Sequence, residues 1–83
     1  MKTSSQNKNS LADLKNGQKA IIVELQGGVI TSKKLDAIGL KIGMEIIKSG
    51  SMFMKGPITV KIGNLQIALG HSLASKIVVE PRR

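Results

Sequence analysis

Apolar and polar residues alternate most regularly over residues 58–69. Every second position is apolar from 58 to 62 and again from 65 to 69, which is the period of a strand with one buried face. The two runs are joined by Gly63-Asn64, and a two-residue connection of Gly and Asn is typical of a tight hairpin. This segment therefore predicts an antiparallel β-hairpin.

Three further apolar stretches predict strands over residues 18–25, 44–48 and 77–80, the last of them ended by Pro81. The first stretch is apolar on nearly both faces, as expected where a sheet curls over a core and is also covered outside. Five short strands with tight connections are typical of a small barrel, whose closure removes exposed strand edges. The expected fold is mainly β, a closed or nearly closed barrel of about five strands with one or two short helices.

A short helix is predicted between the first two of these stretches, before Gly39. Thr31 or Ser32 can supply its N-cap, and Gly39 ends it. Leu35 and Ile38 are three residues apart and are expected to face the core together. A second helical turn is predicted over residues 70–76.

The chain divides into three parts by composition. Residues 1–10 are polar with no apolar period, which predicts a disordered N-terminal tail. Residues 11–81 carry the strands and helices and form the expected domain. Residues 82–83 are a basic C-terminal end.

The composition narrows the class of protein. The core must be built from aliphatic residues, because the chain has one Phe and neither Trp nor Tyr. With no cysteine, a disulfide scaffold and a thiolate metal site are excluded. No apolar run approaches the ~20 residues of a membrane span, and the polar opening lacks the apolar segment that export needs. We expect a cytoplasmic protein without an intrinsic membrane span.

The net charge of +8 is concentrated partly at the chain ends. Four basic residues lie in the tail and the C-terminal end: Lys2, Lys8, Arg82 and Arg83. Between Leu11 and Glu80, nine Lys face five acidic residues, which leaves a net charge of +4 (9 − 5). Basic ends of this kind favour acidic partners weakly and also increase solubility.

Four spaced motifs give the chain a family resemblance. They are L-x-x-L-x-x-G-x-x-A-x-I at residues 11–22, K-K-L-x-x-I-G-L-x-x-G at 33–43, I-T-V-K-I-G-N-L-Q-I-A-L at 58–69 and A-x-x-I-x-V at 74–79. Together they resemble the FeoA family, small cytoplasmic proteins of bacterial ferrous iron transport with an SH3-like barrel. Lys33-Lys34 stand where that family usually has two arginines, and Gly70 where it commonly has one. A lysine keeps the charge but lacks the bidentate guanidinium fork.

The resemblance implies a non-catalytic accessory protein without cofactors. Its implied partner is the ferrous iron transporter of the membrane, contacted through the transporter's cytoplasmic GTP-binding domain. A similar domain also forms the C-terminal module of iron-dependent transcriptional repressors. The resemblance therefore identifies the domain more firmly than the partner.

Two groups of residues are candidates for partner contact. Met52, Phe53 and Met54 are consecutive large apolar residues in a predicted loop, so they either contact a partner or fold as a lid over an open barrel end. Lys33 and Lys34 lie on the outer face of the predicted helix, where they either dock on an acidic surface or form an ordinary solvated face.

The sequence offers no reaction centre. His71 is the sole histidine, and with Glu80 it supplies too few ligands for a metal site. The acidic residues are scattered, so no catalytic pair or triad is predicted. Gly27-Gly28 is followed by no lysine of the phosphate-binding loop pattern, and we interpret it as a turn.

The sequence leaves three functions open: protein–protein interaction, nucleic-acid binding and self-association. A single Phe cannot line the aromatic groove that binds proline-rich peptides, nor stack successive nucleic-acid bases. A basic barrel can still hold RNA or DNA through phosphates alone, and this is the alternative to protein–protein interaction. A homo-oligomer that associates through residues 52–54 is the third.

Overall fold

Six strands form one antiparallel sheet in a computed structural model, which describes residues 9–51 and 56–82. The elements are β1 (Asn9–Ser10), a 3-10 turn (Leu11–Asp13), β2 (Lys19–Leu25), α1 (Gly28–Ala37), β3 (Glu45–Ser51), β4 (Ile58–Ile62), β5 (Leu65–Leu69), α2 (His71–Ala74) and β6 (Ile77–Arg82). The strand order is β1-β6-β2-β3-β4-β5. The mainly β, SH3-like fold with two short helices is confirmed. Closure is not observed, because no pairing joins β1 to β5 within the described ranges.

The β4–β5 hairpin has the bounds that the alternation predicts. Ile62 pairs with Leu65 across the two-residue turn, and the register continues without a shift to Ile58 and Leu69. Gly63 adopts φ 58°, the left-handed region that tight hairpin turns require and glycine tolerates. Local turn chemistry and periodicity agree here, so the sequence specifies both the strands and their register.

Two strands run further than predicted. β3 continues to Ser51, where it pairs with Ile58 after a register shift. β6 does not stop before Pro81 but continues to Arg82, with Pro81 opposite Ala20. Within residues 9–51 and 56–82, β1 pairs with β6 at Val78 and Val79, and Pro81 pairs with β2 alone. Among the described residues Pro81 therefore lies at an edge of the sheet, where a proline is tolerated.

The first helix starts earlier than predicted. Neither Thr31 nor Ser32 is its cap, because the helix begins at Gly28 and the N-cap residue is Gly27. Thr31 is buried inside the helix, and Leu35, one turn later, is buried as expected. Ile38 is exposed, contrary to the expectation that it faces the core with Leu35.

The core is aliphatic throughout, as the composition requires. The buried apolar side chains are Leu11, Leu14, Ala20, Ile22, Leu35, Leu40, Ile46, Ile58, Val60, Leu69, Ala74, Ile77 and Val79. They come from five of the six strands, both helices, the 3-10 turn and the segments that follow that turn and α1, so one core serves the whole described domain. Each element depends on this shared core because no single strand or short helix is stable alone.

One buried cation holds the 3-10 turn against β3. Lys48 is only 4% exposed, and its Nζ donates to the carbonyl oxygens of Ala12 at 2.9 Å and Leu14 at 2.7 Å. Burial lowers the pKa of Lys48 from its usual 10.5, and the negative charge of Asp13 opposes part of that change. The sequence pattern does not indicate that Lys48 is buried, because it reads as an ordinary residue of a predicted strand.

The ends of the domain are only partly described. Asn9 and Ser10, which the sequence assigns to the tail, form β1 against Val79 and Val78. Residues 1–8 lie outside the described part, so the predicted disorder of the tail stays a prediction. α2 confirms the predicted helical turn after β5. Among the described residues, no helix is long and apolar enough to cross a membrane.

Candidate docking groove

An open groove runs between α1 and the connection to β3. Its volume is about 510 Å³. The lining residues are Leu25, Gly28, Val29, Ser32, Lys33, Asp36, Leu40, Lys41 and Ile42. We call this set the docking groove. It combines an aliphatic interior with three charged side chains near its surface.

Two glycines set the direction of α1 and therefore one wall of the docking groove. Gly27 and Gly28 have φ values of 94° and 69°, which turn the chain sharply after β2. A Cβ atom at Gly27 would also collide with the Oγ1 of Thr31. The buried Thr31 thus packs against a backbone position that only glycine can fill.

The other wall is fixed where α1 ends. The Leu40 N–H donates to the Leu35 carbonyl oxygen at 2.8 Å, and the Gly39 N–H donates to that of Asp36 at 3.0 Å. With Gly39 at φ 91°, this is a Schellman ending, in which the residue after the glycine packs back onto the last turn. Leu40 and Leu35 are both buried, which holds the following residues close to the helix.

The segment after Leu40 is tied to the sheet by backbone hydrogen bonds. The Gly43 N–H donates to the Ile22 carbonyl oxygen at 2.7 Å, and the Ile22 N–H donates to the Met44 carbonyl oxygen at 2.9 Å. Ile42, held between these anchored residues and Leu40, remains 61% exposed. A well-anchored backbone therefore presents a large apolar side chain to solvent.

Exposed apolar side chains stand on both sides of the docking groove. Val29, on α1, is 69% exposed, and Ile42 lies on the opposite wall. Ile30, beside Val29 in the first turn of α1, is 71% exposed but is not part of the lining. Large apolar side chains exposed on both walls of one groove are typical of an interaction site, whereas isolated exposed aliphatic residues are ordinary.

Two lysines line the docking groove, and among the described residues one of them pairs with a carboxylate. Lys41 Nζ lies 3.5 Å from Asp36 Oδ1, an ion pair in which both side chains are about two-thirds exposed. Such a pair contributes little to stability, about 0–1 kcal/mol. Within residues 9–51 and 56–82, Lys33 has no carboxylate at salt-bridge distance. The lining therefore carries one excess positive charge.

The predicted contact residues are distributed unevenly over this surface. Lys33 lines the docking groove, whereas Lys34 is exposed on α1 outside the lining. Met52, Phe53 and Met54 lie outside the described residues, so their predicted role remains a prediction. Sequence analysis missed Val29 and Ile42. A helical projection that starts at Gly28 places Val29 off the inward row of Thr31 and Leu35, and this signal could have found it.

Metal-binding chemistry is absent from the described ranges, 9–51 and 56–82, since they hold no group of three His, Cys, Asp or Glu side chains arranged for a metal ion. His71 is half-buried at the start of α2.

Comparison with known proteins decides the family. Residues 9–81 match the family model described as the FeoA domain. The chain belongs to the FeoA family. The resemblance inferred from the four sequence motifs is confirmed. A curated relative from Methanocaldococcus jannaschii, named "Putative Fe(2+) transport protein A", is 31% identical over 72 residues, covering 84% of this chain and 83% of the relative.

Solved structures agree with the FeoA assignment. A crystal structure described as an iron uptake regulatory protein (FeoA) is 32% identical, with a TM-score of 0.82, and the match covers 90% of this chain and 97% of that one. A FeoA-like protein from Clostridium acetobutylicum has the same TM-score at 22% identity, over 93% and 90% of the two chains. A manganese-dependent transcriptional repressor matches at 17% identity and a TM-score of 0.82, over 90% of this chain and 42% of its own. At 22% and 17% identity, the Clostridium acetobutylicum protein and the repressor show a shared fold alone.

Proposed function

We propose that this FeoA-family protein is a non-catalytic accessory of ferrous iron uptake, which docks on the cytoplasmic GTP-binding domain of the iron transporter. Family membership associates the chain with ferrous iron transport. The observation that carries the docking proposal is the pair of exposed side chains, Val29 and Ile42, on opposite walls of one groove. Its place of action is then the cytoplasm, where the partner domain lies.

The proposed contact is apolar in its centre and electrostatic at its rim. Burying Val29 and Ile42 against a partner removes apolar surface from water, which contributes about 1–2 kcal/mol for each side chain. Lys33 adds attraction to an acidic group at the rim, and this part weakens with salt. The chemistry that fits the docking groove is therefore an aliphatic side chain of the partner with a carboxylate nearby.

The test measures binding of the purified transporter GTP-binding domain to the full 83-residue chain by calorimetry. Val29→Ser and Ile42→Ser should each raise Kd roughly 5–30-fold. Leu65→Ser is the matched control, because Leu65 is also an exposed aliphatic residue, at 57%, but lies on β5. Equal affinity for all three variants would refute docking through this groove, and no binding by the unchanged chain would refute the partner.

Charge reversal separates the docking groove from the helix face as a whole. Lys33→Glu and Lys34→Glu change the net charge equally at adjacent positions, but only Lys33 lines the groove. We expect Lys33→Glu to weaken binding clearly more than Lys34→Glu. Equal effects would favour general attraction to the basic helix. Met52→Ser with Met54→Ser tests the separate prediction that residues 52–54 contact the partner.

Nucleic-acid binding is the alternative function, supported by the net charge of +8. Salt distinguishes the two functions. Binding through phosphates falls steeply as salt increases, since counterions are released on association. Docking through Val29 and Ile42 depends mainly on apolar burial and should be largely retained at high salt. A salt-sensitive complex with duplex DNA or RNA, together with failure to bind the GTP-binding domain, would favour the alternative.

A further inference from the structure

The two edges of the sheet differ in how they are protected. At one edge, β6 carries Pro81 beyond the residues that pair with Asn9 and Ser10 of β1. A proline is a common means of preventing strand-to-strand association. At the other edge, β5 is five residues long and contains neither a charged residue nor a proline. Within residues 9–51 and 56–82, β5 pairs with β4 alone. One edge of the sheet is thus left open to pairing.

The hairpin register identifies the backbone groups at this edge. Ile62 and Leu65 flank a two-residue turn, so they form a hydrogen-bonded pair. Hydrogen-bonded and non-bonded pairs alternate along an antiparallel ladder, so Ile67 and Leu69 also bond to β4. The N–H and C=O groups of Gln66 and Ala68, between them, point away from β4. The free edge therefore presents two donors and two acceptors.

We propose that β5 pairs antiparallel with β5 of a second copy of this chain. A two-fold axis at Ile67 places Gln66 of each copy opposite Ala68 of the other. The outward donors and acceptors of those two residues then satisfy one another in four backbone hydrogen bonds. In a two-fold symmetric interface, the same strand of each copy faces its counterpart, so charged residues on that strand would bring like charges together. β5 has no charged residue, so its pairing avoids this repulsion.

The same register explains an exposed leucine. Leu65 is 57% exposed because it lies near the hairpin turn, beyond the buried part of β4. In the paired arrangement it lies opposite Leu69 of the second copy, on the same face of the joined sheet. Directly opposed side chains on an antiparallel pair are about 4.5–5.5 Å apart at Cβ, so Leu65 of each copy comes beside the Leu69 position of the other. Leu69 is itself buried in its own core, so the effect of pairing on this face is to cover part of Leu65.

Electrostatics give this pairing a distinctive salt dependence. Each copy has a net charge of +8, so copies repel one another at low salt. The nearest basic residue on β4 is Lys61, opposite Gln66. Three strand spacings separate the two Lys61 positions, or roughly 14 Å, which is shorter than the Debye length of about 30 Å at 0.01 M salt and longer than that of about 10 Å at 0.1 M. Raising the salt concentration over this range should therefore strengthen the self-association, the opposite of its effect on attraction to an acidic partner.

The test is analytical ultracentrifugation of the full chain from micromolar to millimolar concentration, at low and high salt. We expect a monomer–dimer equilibrium that shifts toward the dimer as salt increases. Ala68→Pro removes an outward N–H that β4 does not use, so the monomer should fold while dimerisation weakens at least about tenfold. Ala68→Lys should act similarly, and Ala37→Lys is its control, with the same charge change at an exposed position of α1.

Hydrogen exchange gives a direct measure of the proposed bonds. The amides of Gln66 and Ala68 should exchange fast in dilute solution and become protected as concentration increases. A monomer at every concentration, or a dimer that resists both Ala68 variants, would overturn the proposal. Protection of these amides that does not depend on concentration would also overturn it, by indicating pairing within one chain. If Ala68→Pro does not fold, Ala68→Lys decides the result.

The dimer and the docking groove are independent of each other, because they share no residue. Val29→Ser should leave self-association unchanged, and Leu65→Ser should weaken it while leaving transporter binding intact. Each proposal can therefore fail without the other.

Discussion

Replacing Lys48 by Met tests how a buried cation contributes to this small domain. Methionine has a similar length and an unbranched chain, so it can fill the space of the lysine stem. It cannot donate hydrogen bonds, and the carbonyl oxygens of Ala12 and Leu14 lose the Nζ that they share in the native protein. The Leu14 contact is fully buried, so water cannot readily replace the lost donor.

The size of the effect follows from opposing contributions. Two hydrogen bonds from a charged donor stabilise by about 1.5–3 kcal/mol each. Removing the ammonium also removes the cost of its desolvation, which the lowered pKa of Lys48 indicates. The buried carbonyl left without a donor costs about 1–3 kcal/mol, so hydrogen bonding outweighs the desolvation cost. We expect Lys48→Met to lower the free energy of unfolding by about 2 kcal/mol and the Tm by roughly 8–16 °C.

The lowered pKa of Lys48 also determines how its contribution to the free energy of unfolding changes with pH. Because folding lowers the pKa of Lys48 from 10.5, the unfolded chain binds more protons between the two pKa values. Stability from this group therefore rises as pH increases through the folded pKa toward 10.5, while the neutral amine continues to donate. The Met variant lacks this rise. The difference in unfolding free energy between the native protein and the variant should widen from neutral to alkaline pH.

Urea unfolding followed by circular dichroism measures this difference, since the chain has no Trp or Tyr for fluorescence. Lys61→Met is the matched control, because Lys61 is an exposed lysine on the neighbouring β4 and should change stability little. A Lys48 variant as stable as the native protein would refute the hydrogen-bond argument. A difference that narrows at alkaline pH would refute the assigned direction of the pKa change.

Two further substitutions test the packing that forms the docking groove. Gly27→Ala should lower the free energy of unfolding, measured with urea, more than Gly17→Ala does. Both glycines have positive φ, but only at Gly27 would a Cβ meet Thr31 Oγ1. We expect a loss of about 1 kcal/mol at Gly17 from strain alone and of at least about 2 kcal/mol at Gly27, and equal losses would contradict the role of Thr31. Leu35→Ala should lower the free energy of unfolding by about 2–5 kcal/mol by opening a cavity, and a loss below 1 kcal/mol would show that the site collapses without cost.

The local sequence determined those elements that a few neighbouring residues are enough to specify. The β4–β5 hairpin is specified by alternation and by Gly63-Asn64, so its bounds and register were predictable. Gly39 likewise predicted the end of α1, since a positive φ after the last helical turn is a backbone requirement. The four motifs determined the family for the same reason, because their spacing is a property of the chain itself.

Tertiary structure decided which side chains are buried and where several elements begin or end. Packing against the sheet turns the polar Thr31 inward and leaves the apolar Val29 exposed, whereas hydrophobicity alone predicts the opposite. Lys48 becomes a buried donor because a distant turn brings two carbonyl groups to it. Pro81 stays in a strand, where it pairs with β2 alone among the described residues. The docking groove and the open β5 edge depend on contacts between residues far apart in sequence. Such contacts are set by the whole fold, and a local pattern carries no information about them.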